Sequence, residues 1–123
     1  MLLIIFIIIL NFVNCSNNYD YKKKIPIIVK HPKSLNISNE TSSILLECGV
    51  ESKEAKFNVT WYKDGFKLKS DHKKYRIFSN NSLYISFVNI EHDHGVYNCK
   101  AQNYYGHVVS NNATVAVTCK LKD

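Results

Sequence analysis

The chain has 123 residues and a formal net charge of +6, with 46% hydrophobic and 12% aromatic residues. That length holds one domain-sized core and no second of comparable size, and the apolar content excludes a mainly disordered chain. The basic balance favours acidic partners such as glycosaminoglycans or anionic cell surfaces.

Export from the cell is what the first residues predict. Leu2 to Leu10 is an unbroken run of Leu, Ile and Phe, continued after Asn11 by Phe12 and Val13. About a dozen apolar residues suit a secretory signal, whereas crossing a bilayer as a helix takes about 20. Val13 and Cys15 suit the two small-residue positions before a cleavage site, so residues 1–15 are expected to be removed. No second apolar stretch of that kind follows. The mature chain is therefore expected outside the cell, either secreted or held at the surface as a piece of an anchored receptor. Nucleic acid is not an expected partner there.

Residues 16–24, ending in Lys22-Lys23-Lys24, are polar and basic and read as a flexible leader. A domain is expected over residues 25–120. Pro26 and Pro32 suit an edge strand, where a missing N–H costs little. Ile44, Leu46 and Cys48 then point one way and Leu45 and Glu47 the other, while Phe57, Val59 and Trp61 oppose Asn58, Thr60 and Tyr62. Asp64-Gly65 predicts a tight hairpin turn. Asn80-Asn81 predicts a second turn, between strands at 75–78 and 82–87 with Leu83 and Ile85 facing inward. Strands at 96–102 and 108–117 follow, joined around Asn103 to Gly106. Seven or more short strands separated by turn residues make an all-β antiparallel sandwich of two sheets with Greek-key connections.

With Cys15 removed, Cys48, Cys99 and Cys119 remain, an odd count in a compartment where disulfides persist. Cys48 and Cys99 both take inward positions, and Trp61 lies between them in sequence. In a sandwich that arrangement bridges the sheets with a disulfide and packs an indole against it. Cys119 is left over and is expected to be exposed and to pair between chains in a disulfide-linked dimer, or with a domain beyond Asp123; a free buried thiol is the alternative.

Asp93-His94-Gly95-Val96-Tyr97-Asn98-Cys99 matches the D-x-G-x-Y-x-C signature of immunoglobulin domains, and Cys99-Lys100-Ala101-Gln102-Asn103-Tyr104-Tyr105-Gly106 is similar to the ending typical of the I-set. Across residues 25–118 the chain resembles that set, common in adhesion molecules and receptor ectodomains. The resemblance implies that the Tyr97 hydroxyl reaches back to the backbone near residues 91–93, that Arg76 salt-bridges Asp93, and that Gly95 relieves crowding at the corner. These are structural residues, which establish a fold and leave the partner open.

His92-Asp93-His94 offers two histidines in a turn with no third ligand, so loop histidines are expected and not a metal or cofactor site. No serine or histidine lies in a recognisable nucleophile context, so no catalysis is expected. Five N-x-S/T sequons, at Asn36, Asn39, Asn58, Asn80 and Asn112, are expected to provide three or more glycan acceptors. Glycans at Asn58 and Asn112 would cover one sheet. Tyr104 and Tyr105 then remain as candidate anchors for an extracellular or cell-surface protein, with the opposite sheet (Leu45, Glu47, Tyr84, Ser86) as the other solvent-facing surface. A protein-binding module of the adhesion or receptor type is thus expected. The competing expectations are a glycosaminoglycan- or growth-factor-binding domain and a fragment of a larger receptor.

Overall fold

A computed structural model describes residues 20–38, 42–54 and 56–118. The expected signal segment, Asn39 and Cys119 lie outside the described residues. In chain order the strands are β1 (Ile27–Lys30), β2 (Leu35–Ile37), β3 (Ile44–Leu46), β4 (Gly49–Glu51), β5 (Asn58–Lys63), β6 (Phe66–Lys67), β7 (Tyr75–Ile77), β8 (Leu83–Ile85), β9 (Gly95–Asn103), β10 (Gly106–Val109) and β11 (Ala113–Val117). A short helix, α1 (Ile90–Asp93), precedes β9.

Alternation along the strands decides which side chains meet. Ile44 and Leu46 in β3, Leu83 and Ile85 in β8, Tyr97, Cys99 and Ala101 in β9, and Ala113, Val115 and Val117 in β11 are all buried. One sheet runs in the order β2-β11-β9-β5-β6, with β10 also on β9, and a second in the order β3-β8-β7. β4 follows β3 after only Glu47 and Cys48 and pairs with β1, extending the second layer. The buried faces of these layers close on one core, the two-sheet sandwich expected from the sequence.

The opening segment serves both layers. β1 pairs antiparallel with β4; the chain then passes the buried Pro32, and β2 pairs parallel with β11. Proline cannot donate to a ladder, so the pairing breaks there and can resume in the other sheet. Two side chains hold the crossing against β11 and the break before it: His31 Nδ1 accepts the Asn111 N–H at 3.0 Å and Ser34 Oγ accepts the Thr114 N–H at 2.9 Å.

Both expected turns are present. Asp64 (φ 51°) and Gly65 (φ 84°) are both left-handed, as the two-residue hairpin between β5 and β6 demands. Asn81 (φ 71°) takes the same region between β7 and β8.

Three expectations need correction. The strand expected over 108–117 is two strands, because Ser110 interrupts it: its buried Oγ accepts the Cys99 N–H at 2.9 Å, while its own N–H donates to the Cys99 carbonyl at 2.8 Å. Ser86, expected in solvent, is buried and donates its hydroxyl to the Lys73 carbonyl at 2.7 Å, because the chain turns inward past the end of β8. The described end of the leader, residues 20–24, is not free. The Tyr21 ring meets Tyr105 edge-on at 5.3 Å, and the Lys24 carbonyl accepts from Asn103 Nδ2 at 2.6 Å.

Candidate functional site

The centre of the sandwich is occupied by structural chemistry. Cys48 and Cys99 are disulfide-bonded, joining the two layers. Trp61 pairs with Cys99 across β5 and β9, is fully buried, and donates its Nε1–H to the Asn81 carbonyl at 2.8 Å. That bond satisfies the indole's one polar group and ties β5 to the β7–β8 turn.

A second knot sits at the entry to β9. The Tyr97 hydroxyl donates to the Asp93 carbonyl at 2.8 Å. Asp93 itself is fully buried. Its Oδ1 accepts from the Tyr75 hydroxyl at 2.9 Å, and its Oδ2 accepts from Lys74 Nζ at 2.5 Å and from the Asn89 N–H at 2.8 Å. Burial, reinforced by the nearby carboxylate, pushes the Tyr75 and Tyr97 hydroxyls far above the usual tyrosine range, so both remain neutral donors.

Arg76 is therefore not the partner of Asp93. Alternation along β7 turns Tyr75 and Ile77 towards the core and Arg76 out. Its guanidinium lies 5.6 Å over the Phe78 ring, which stacks in turn on Tyr84 at 5.7 Å. Lys74, just ahead of the strand, takes the place expected for the arginine. At Gly95 a Cβ would come within 2.7 Å of the Asp64 carboxylate, so the crowding there comes from that side chain. Asp64 accepts the Val96 N–H at 2.9 Å, which with Lys63 beside it holds its carboxyl below the usual range.

The β9–β10 turn is where side chains are offered to solvent. Asn103 builds it: its Oδ1 accepts the N–H groups of Tyr105 and Gly106 at 2.9 and 3.2 Å, and its amide donates to Lys24. The two tyrosines then part. Tyr105 packs back on the domain between Tyr21 and the Lys24 ammonium, which lies 4.9 Å from its ring centroid. A hydrogen bond with Tyr105 raises the Lys24 pKa above the usual lysine range. Tyr104 is 90% exposed and touches Tyr105 edge-on at 5.5 Å. A trough of about 730 Å³ runs beside it, lined by Lys56, Asn58, Thr60 and Gln102 among others.

The other candidates are dispersed. Asn36 is exposed on β2 and Asn58 at the start of β5. Asn80 is exposed in the β7–β8 turn, where its Oδ1 accepts the Ser82 N–H at 3.0 Å. Asn112, expected on a strand, sits in the break between β10 and β11, and its Oδ1 accepts from Asn98 Nδ2 at 3.1 Å. On the smaller sheet Leu45 is exposed, Glu47 pairs with Lys30 at 2.9 Å, and Tyr84 is half-buried. His94 Nδ1 accepts the Val117 N–H at 3.1 Å, and among the described residues no three metal-ligating side chains cluster. Sequence reasoning missed Lys74 and Tyr75, since nothing local marks either as a partner of a carboxylate 18 or 19 positions away.

A family model described as "Immunoglobulin domain" matches residues 25–103. Human protogenin is 35% identical over 94 residues, 73% of this chain and 8% of that protein. Human roundabout homolog 1 is 35% identical over 102 residues, 75% of this chain and 6% of its own length. The chain thus spans less than a tenth of these relatives. The tandem Ig repeats of Dlar share the fold, with a TM-score of 0.69 at 23% identity over 77% of this chain and 47% of that one. With the family model covering most of the described sandwich, the chain belongs to the immunoglobulin-domain family.

Proposed function

We propose that the chain is a non-catalytic extracellular module for protein–protein recognition, of the cell-adhesion or cell-surface-receptor type, and that Tyr104 anchors its partner. The observation that carries this reading is the contrast between neighbours: Tyr105 is engaged by Tyr21 and Lys24, while Tyr104 stands almost fully exposed on a turn braced by Asn103. An aromatic side chain on a rigid turn has little freedom left to lose on binding, which is what makes tyrosine a frequent anchor at interfaces. The ionisable groups Asp93 and Tyr97, both buried, and the partly buried Tyr75 are committed to one another, to Lys74 and to the backbone, which supports a recognition role over a catalytic one. Similarity to protogenin and roundabout homolog 1 supports the adhesion or receptor setting.

The test is binding of the secreted, tetramerised chain to intact cells. Binding that is abolished by trypsin treatment of the cells and persists at raised ionic strength is expected. Tyr104→Ala should weaken it about tenfold or more, the loss of about 1.4 kcal/mol, with an unchanged melting temperature. Binding that disappears with salt or after heparinase treatment would replace this reading with recognition of a sulfated polysaccharide.

A further inference from the structure

From the geometry around Asn58 we infer that this asparagine carries an N-linked glycan whose first N-acetylglucosamine lies in the trough beside it, with its C–H face against the Tyr104 ring. Asn58 opens the Asn58-Val59-Thr60 sequon, is exposed, and its side chain makes no hydrogen bond among the described residues. Asn80 and Asn112, by contrast, have their side-chain oxygens engaged. The ladder sets the position of Asn58: it pairs with Gln102, and Tyr104 lies two residues beyond that partner. Tyr104 stands in the turn just past the end of β9, and Asn58 and Tyr104 line the same trough. The trough between them measures about 730 Å³, inside the range of about 300–1,000 Å³ that houses small ligands. Its lining suits a sugar. Lys56, Thr60 and Gln102 supply hydrogen-bonding groups for hydroxyls and the acetamide, and the Tyr104 ring supplies an apolar plate.

The modification needs a lipid-linked oligosaccharide pyrophosphate as donor. The Asn58 Nδ2–C1 bond forms as the C1–O bond to the pyrophosphate breaks, the amide gives up one proton, and the lipid pyrophosphate leaves. The contact deepens the recognition reading by placing a control on the same turn, since a sugar on the sheet side of Tyr104 covers part of the ring a partner would meet. Its test uses no partner, so it and the recognition reading fail separately.

The full chain is secreted from a eukaryotic host and Asn58 occupancy is measured by glycopeptide mass spectrometry. Nitration of Tyr104 by tetranitromethane is then followed in the glycosylated chain, in chain trimmed to a single N-acetylglucosamine, and in Asn58→Gln and Thr60→Ala, each of which removes the sequon. Majority occupancy is expected. Tyr104 should nitrate several-fold more slowly in both sugar-bearing forms than in either variant, while Tyr21 nitrates equally in all. In NMR spectra the N-acetylglucosamine ring protons should be shifted upfield, a shift that Tyr104→Ala removes. An unoccupied Asn58 overturns the inference, and so does an occupied site with equal Tyr104 nitration and no ring-current shift.

Discussion

Lys74 places its ammonium on Asp93, a carboxylate with no exposure to solvent, and the same ammonium donates to the Phe87 carbonyl at 2.7 Å. One side chain thereby neutralises a buried charge and fixes the backbone where β8 leads into α1. Lys74→Met should cost about 3–5 kcal/mol, because it leaves the buried Asp93 carboxylate without its counterion. Asp93→Ala should cost about 3–5 kcal/mol, since the Tyr75 hydroxyl and the Asn89 N–H lose their acceptor with it. Arg76→Ala should cost no more than about 1 kcal/mol, the value of an exposed cation–π contact. Urea denaturation of the three variants checks the order, and a larger loss for Arg76 than for Lys74 would restore the expected arginine pair.

The disulfide and the indole should behave as the core of the fold. Cys48→Ala or Cys99→Ala should cost about 2–5 kcal/mol and sharply lower the secreted yield. Trp61→Ala should cost about 3–5 kcal/mol through the cavity it leaves. Melting curves of purified protein, with and without reductant, measure both.

Phe87 takes a left-handed conformation (φ 50°) with a side chain that is 72% exposed. For a bulky residue that backbone costs on the order of 1–2 kcal/mol, and a ring so exposed returns little by packing. Phe87→Gly should therefore leave stability unchanged or raise it by up to about 1 kcal/mol, after the extra unfolded-state entropy of glycine is subtracted. A loss above that size would show that the ring packs in solution, and the midpoint of urea unfolding decides.

Acid should weaken the domain through its turn carboxylates. Asp71 Oδ1 accepts the N–H groups of Tyr75, Lys74 and Lys73 at 2.9, 2.7 and 3.0 Å, and these bonds hold its carboxyl below the usual range. A depressed carboxyl contributes stability that is present above its unfolded value and lost as pH falls through the folded one. The melting temperature should thus decline below about pH 4, the ordinary aspartate range. Asp71→Asn should keep the turn and flatten that decline. An equally steep acid limb in the variant would assign the effect to other groups.

Apolar alternation, turn residues and the cysteine–tryptophan spacing are features of the sequence itself, and they predict most of the core strands, both turns and the disulfide, but not β4 or α1. Alternation needs only the period of two along a strand, and Asp64-Gly65 needs only the tolerance of its residues for positive φ. Apart from the disulfide, the side-chain contacts that cross the chain were not legible. Nothing near Asp93 in sequence identifies Lys74 as its counterion, because the pairing depends on where the chain enters β7. Ser110 cuts the last strand through a bond to Cys99, 11 residues away. Tyr104 and Tyr105 are the same residue type side by side, and only the docking of Tyr21, Lys24 and Asn103 separates the engaged ring from the free one. Local patterning follows from the geometry of single strands, whereas the choice between two equivalent side chains is made by the segments that fold against them.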